Sequence, residues 1–351
     1  MTALHTRLCR LAGIEFPIVQ PGMGFVSDAG LTAATSEAGG LGIIGGATMG
    51  LSELADAIAR VKERTSRPFG VNLRSDAPDA FERADLMIRE GVRVASFALA
   101  PSERLIKTLK DGGLVCMPSI GARRHAEKVA GWGADAVIVQ GSEAGGHTGA
   151  IGTMVLLPQI VDAVDIPVVA AGGFFDGRGL VAALAFGAEG IAMGTRFLLT
   201  RESPVPDPVK AVYLAKGVAD TVVTDRIDGH PHRVLRTPFI DRWVTSSGGL
   251  RGLLRSARSA LALRRNTGMG LGEMLRRGRA LRRDHHFTLE QVVMAANTPV
   301  LLRRTMQEGE VDFGIISGGQ VSGLIDDIPT VQELVTRVMR EATLSLERLA
   351  A

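Results

Sequence analysis

Between Pro17 and Thr195, short apolar runs alternate with amphipathic stretches, and this rhythm limits the available folds more than any other feature of the chain. The apolar runs are Ile18–Gln20, Gly42–Ile44, Phe69–Leu73, Val92–Phe97, Leu114–Met117, Ala136–Val139, Val168–Ala171 and Gly190–Met193. They are short and apolar at nearly every position, as parallel strands covered on both faces must be. Between them, segments such as Ser52–Thr65, Asp79–Glu90, Ser102–Lys110, Arg123–Gly131 and Arg178–Phe186 repeat apolar residues at helical spacing. Eight strands with seven evident intervening helices predict an α/β fold. The closed (β/α)8 TIM barrel fits better than an open sheet. The barrel core is expected over residues 1–200. Beyond the break at Ser203–Pro208, a largely helical appendage is expected over 201–351, near the barrel mouth.

Such barrels carry function at the carboxyl ends of their strands, and the unusual residues of this chain fall there. Gly22 and Met23 follow the first strand, and Asn72 lies at the end of the third. Gln140 to Gly149 follows the sixth and contains Gly145 and His147. Gly172 and Gly173 follow the seventh, and Ala192, Met193, Gly194 and Thr195 end the eighth. Glycine turns on two adjacent strands bring backbone N–H groups close to a ligand, and with a following helix N-terminus they suit a phosphate. His147 is set between glycines, where it can face a ligand and exchange a proton near neutral pH.

Other signals are weaker. Gly40, Gly42 and Gly45 spell a dinucleotide fingerprint, but they follow a helical stretch and lead into a strand, the wrong order for that turn. His230 and His232 are two apart in a loop or hairpin without a further ligand set, so no metal is expected. His125 and the pair His285 and His286 read as surface residues. Two cysteines, Cys9 and Cys116, exclude a disulfide framework. With no apolar run long enough to cross a bilayer and no signal-like start, the expected compartment is cytoplasmic. Aromatic residues make up 4% of the chain, which argues against a nucleic-acid stacking platform. The net charge of +3 hides an arginine-rich stretch from Arg251 to Arg283 that contains no lysine. Arg276, Arg277 and Arg279 within it suit the phosphates of a coenzyme A tail, because guanidinium binds phosphate bidentately. A solvated helix face, an acidic membrane surface or a contact with a second copy of the chain are the other readings of that stretch.

Three motifs carry a family resemblance: Gln140-Gly-x-Glu-Ala-Gly-Gly-His147, Ala170-Ala-Gly-Gly-x-x-Asp-Gly-Arg-Gly179 and Met193-Gly-Thr195. Through them the chain resembles the nitronate monooxygenase (2-nitropropane dioxygenase-like) family of FMN enzymes. The resemblance implies an FMN barrel. Gly22, Met23, Asn72, Gln140 and Gly145 would lie on the isoalloxazine side, with Gly172, Gly173 and Ala192 to Thr195 at the phosphate and His147 as acid or base. Ser96 to Pro101 departs from nitronate-oxidising members. Segments 87–101, 228–237 and 294–299 instead look like an actinobacterial branch of steroid C/D-ring breakdown that acts on CoA thioesters. The implied activity is FMN-dependent reduction, with NADH or NADPH, of a C=C bond conjugated to a CoA thioester. The alternatives are oxidation of alkyl nitronates by oxygen and a non-enzymatic barrel that senses a phosphorylated ligand.

Overall fold

The structure is a computed structural model that describes residues 4–97, 101–227, 229–245, 289–312 and 314–351. Eight parallel strands close into a barrel: β1 (Ile18–Gln20), β2 (Leu41–Ile44), β3 (Phe69–Leu73), β4 (Val94–Phe97), β5 (Val115–Ile120), β6 (Val137–Gln140), β8 (Val168–Ala171) and β9 (Gly190–Ala192). The ring closes where Ile18 pairs with Ile191 and Val19 with Ala192. The predicted TIM barrel is therefore present, with strand ends moved by a few residues.

Period-two alternation sorts the strand side chains into two layers. Val19, Leu41, Ile43, Val94, Val115, Met117, Ile138, Val169 and Ala192 fill one cluster. Their neighbours Ile18, Ile44, Val71, Ala95, Cys116, Val137, Ala170 and Ile191 join the larger cluster shared with the helices. Leu8, Cys9 and Ala12 of α1 (Arg7–Ala12) belong to the first cluster, so this short helix plugs the barrel beneath the strands.

Outer helices follow the strands: α2 (Ala29–Glu37), α3 (Leu51–Arg64), α4 (Ala80–Arg89), α5 (Glu103–Asp111), α6 (Arg123–Gly131), α7 (Thr153–Val161) and α8 (Gly177–Ala185). In α3 the buried residues are Leu54, Ala57, Ile58 and Val61, a helical stripe, while its charged residues face outward. The helix starts where Glu53 accepts a hydrogen bond from the Gly50 N–H at 2.7 Å, and it stops at Thr65, which turns extended.

The chain then passes through α9 (Gly194–Leu198), α10 (Asp207–Leu214), the hairpin β10 (Thr221–Thr224) and β11 (His232–Leu235), α11 (Pro238–Thr245) and α12 (Leu289–Met306). It ends in α13 (Val331–Ala350). A capping box between Thr330 and Glu333 opens α13. Leu334, Val335, Val338 and Ala342 of α13 are buried, and the helix packs on both α8 and α2. It thus fills the eighth outer-helix place, so the last piece of the barrel wall lies more than a hundred residues beyond β9. Helix α8 meets α13 at Gly177, where a Cβ would sit 2.3 Å from the Ala342 nitrogen. Only glycine lets the two backbones approach so closely.

Candidate functional site

The loop after β1 is built on Gln20, which is fully buried. Its Nε2 donates to Ser27 Oγ at 2.8 Å and to the Ile43 carbonyl at 3.2 Å. Ser27 Oγ in turn accepts from the Met23 N–H at 2.9 Å. This network holds Gly22 and Met23 half-buried at the mouth. Gly22 lies against β3, since a Cβ there would be 2.3 Å from that of Asn72. Asn72 is buried and donates from Nδ2 to Ser96 Oγ at 3.1 Å. After the neighbouring strand β9, a Cβ on Gly194 would come within 3.4 Å of Met23 Sδ. The ends of β1, β3 and β9 therefore converge.

The loops after β6 and β8 are stitched together. Glu143 accepts from the Thr153 N–H at 3.0 Å, and Thr153 Oγ1 lies 2.9 Å from both Glu143 Oε2 and the Gly172 carbonyl. Gly172 and Gly173 take φ of +92° and +90°, a region that L side chains rarely adopt. Gly173 is exposed, and a Cβ there would meet only the Glu143 side chain, at 3.7 Å.

One expectation needs refining. The N-terminus of α8 is already satisfied by carboxylates, with Asp176 accepting from the Gly179 N–H and Glu341 from the Gly177 N–H, each at 3.0 Å. By contrast, α9 starts after Met193 without a side-chain cap.

His147 lies in a two-residue strand. Together with Gly146 it forms β7 (Gly146–His147), which pairs antiparallel with β11 so that His147 faces His232 and Gly146 faces Arg233. Gln140 donates from its side chain to the His147 carbonyl, and the Thr148 N–H donates to the Pro231 carbonyl at 3.0 Å. Arg233 donates from Nη2 to the Ser142 carbonyl at 2.9 Å and from Nη1 to Thr221 Oγ1 at 2.6 Å. Burial lowers the pKa of this guanidinium, and Glu143 counters the effect. The His147 ring is exposed but flanked by those of His232 and His230, with centroids 4.7 and 6.0 Å away. The sequence left 222–236 open as a loop or hairpin, and nothing local showed that it would pair with His147.

A second contribution was missed altogether. Residues 317–320 return to the mouth from far along the chain. The Gly319 N–H donates to Thr195 Oγ1 at 3.1 Å, and the Gln320 N–H donates to the Glu143 carbonyl at 3.0 Å. Gly145 has a packing reason for being glycine, because a Cβ there would lie 2.6 Å from Gly318 C and Gly319 N.

The mouth fits a phosphate-bearing cofactor. A Cβ at Gly173 would meet only the Glu143 side chain, at 3.7 Å, and one at Gly194 only Met23 and Pro21, at 3.4 and 4.0 Å, so both strand ends leave open space beside their backbones. Among the described residues no cluster of His, Cys, Asp and Glu could hold a metal ion, and no helix is long and apolar enough to cross a membrane. Arg276, Arg277 and Arg279 lie outside the described residues.

The profile of the nitronate monooxygenase family matches residues 5–341. The chain belongs to this family. Its relatives in the family include two proteins named "(3aS,4S,5R,7aS)-5-hydroxy-7a-methyl-1-oxo-octahydro-1H-indene-4-carboxyl-CoA dehydrogenase". The one from Rhodococcus jostii is 54% identical over 351 residues, covering 100% of this chain and 99% of the relative. The one from Mycobacterium tuberculosis is also 54% identical, covering 99% of each. FabK from Thermotoga maritima superposes with a TM-score of 0.79 at 37% identity, covering 98% of both chains. The chain is accordingly a flavin-dependent oxidoreductase with a nitronate-monooxygenase-type barrel.

Proposed function

We propose that this enzyme uses FMN and NAD(P)H to reduce a C=C bond conjugated to a CoA thioester, on a fused-ring carboxyl-CoA of steroid C/D-ring breakdown. The carrying observation is His147 braced by β11 in a barrel whose strand ends are open at Gly173 and Gly194, in a chain 54% identical to two carboxyl-CoA dehydrogenases. In this reading Gly172, Gly173, Gly194 and Thr195 hold the FMN phosphate, while Gly22, Met23, Asn72 and Gln140 lie beside its ring system. Bound FMN supplies the two-electron chemistry.

Saturating a conjugated C=C bond needs hydride at the β-carbon and a proton at the α-carbon. In this reading His147 gives that proton, and in the dehydrogenating direction named for the relatives it takes the proton back. Backbone amides at the mouth would stabilise negative charge on the thioester oxygen. Arg276, Arg277 and Arg279 would grip the CoA phosphates.

The test replaces His147 with alanine and follows anaerobic flavin oxidation by an enoyl-CoA. Loss of roughly a hundredfold or more with flavin retained supports the role. Unchanged substrate reduction removes His147 from the chemistry. Charge reversal at Arg276, Arg277 and Arg279 should raise KM for the acyl-CoA and spare a truncated thioester.

The family match favours a second reading, oxidation of alkyl nitronates by oxygen. Rapid oxygen uptake with propionate 3-nitronate, and no NAD(P)H oxidation by enoyl-CoA, would select it.

A further inference from the structure

The β10–β11 hairpin brings one imidazole against another. His147 and His232 are register partners in the β7–β11 ladder, with ring centroids 4.7 Å apart and planes inclined by 51°. Directly opposed residues of an antiparallel pair project to one face, so the backbone itself imposes this contact. His147 is exposed, whereas His232 is 3% exposed. A buried imidazole must be hydrogen-bonded to offset its desolvation. Here His232 Nε2 shares a 2.8 Å hydrogen bond with Ser317 Oγ.

Ser317 is itself held in place. It bridges to Val234, its carbonyl accepts from the Tyr213 hydroxyl, and the Leu235 N–H donates to the Ile316 carbonyl at 2.8 Å. On another side of His147 the His230 ring stands edge-on, at 6.0 Å and 76°. An exposed side chain ordinarily samples several rotamers. These two rings narrow the choice for His147.

We propose that His232, tethered by Ser317, is a positioning residue that fixes the imidazole plane of His147 and thereby the direction in which it exchanges a proton with the substrate. The inference rests on His147 as acid or base, the reading given above. It adds the residues that orient it, which lie 85 and 170 positions along the chain from it. Misplacing a reacting group by about 1 Å costs up to about a hundredfold in rate without changing the chemistry.

The experiment uses the full-length, FMN-loaded protein with cyclohex-1-ene-carboxyl-CoA as probe. His232→Gln and Ser317→Ala are made singly and on top of His147→Ala. Ser317→Ala retains all the histidines and serves where His232→Gln disturbs folding. The expected result is kcat lower by about tenfold to a hundredfold, with KM and flavin content within about twofold of the parent. No further loss should appear in the His147→Ala background. The ring nitrogen-15 signals of His147 should also shift when Ser317 or His232 is changed.

Unchanged kcat, losses that add to that of His147→Ala, or losses that follow flavin release would overturn the proposal. If His147→Ala itself turns over normally, the acid–base reading fails separately. The nitrogen-15 signals then decide, and unchanged His147 signals in His232→Gln would overturn the positioning role.

Discussion

Thr195 Oγ1 accepts the backbone N–H of Gly319 at 3.1 Å, tying the first turn of α9, just past the last barrel strand, to a turn 124 residues further on. The bond closes the mouth beside Gly194. Removing it leaves the N–H of a buried residue without its acceptor, a cost of about 1–3 kcal/mol. Thr195→Val should therefore weaken flavin retention by about tenfold or more. Fluorescence of released flavin on serial dilution measures this, and parental retention would contradict it.

Gly172→Ala and Gly173→Ala separate backbone strain from filling of the open space beside Gly173. Both positions have φ near +90°, so alanine at either should cost about 1–3 kcal/mol. At Gly172 the new Cβ also comes within 3.0 Å of the Gly141 carbonyl, whereas at Gly173 its nearest neighbour is 3.7 Å away. Gly172→Ala should lower Tm more, and Gly173→Ala should lose more flavin affinity per degree of Tm. Thermal melts with and without added FMN test this ordering.

A buried cation predicts acid sensitivity. Arg196, only 4% exposed in its side chain, donates to Asp327 Oδ1 at 2.8 Å, and Arg337 contacts Asp327 Oδ2 at 2.7 Å. Burial pushes the Asp327 carboxyl up, but the two guanidinium groups outweigh it and hold the pKa below the usual range. A carboxylate with a depressed folded-state pKa stabilises above its unfolded value, and that stabilisation is lost as pH falls through the folded value. Asp327→Asn should lower Tm at pH 7, and its difference from the parent should shrink below about pH 4. A difference independent of pH would refute the assignment.

Both cysteines should be inert in the folded protein. Burial, with Asp135 adding to it, pushes the Cys116 thiol to about 12. Cys9 is also raised, chiefly by burial. Thiolate is the reactive form, so Ellman's reagent at pH 8 should find no reactive thiol until denaturant is added. Fast reaction of either thiol in the native state would contradict this.

Much of the barrel could be read locally. Ile18, Phe69, Val137 and Val168 open strands whose apolar runs are visible without any partner, and Leu54, Ile58 and Val61 mark a helix by spacing alone. The glycines at 172 and 173 marked a turn that needs φ near +90°. The origin of the eighth outer helix was not legible. Val331–Ala350 reads as an amphipathic helix, but its place against α8 depends on Gly177 meeting Ala342 across the fold. The surroundings of His147 were equally hidden, because His232 and Ser317 look like ordinary loop residues until β11 pairs with β7.

The amino-acid order alone determined the strand–helix alternation, the closed α/β class and the mouth-facing glycines. Each of these follows from interactions within a few residues or from the steric freedom of one residue. Tertiary structure decided which imidazole braces His147, which helix completes the wall and which backbone N–H meets Thr195. Those contacts join groups 85 to 164 positions apart. They form only when burial of the whole core outweighs the entropy of closing such long loops, a balance that no local pattern encodes.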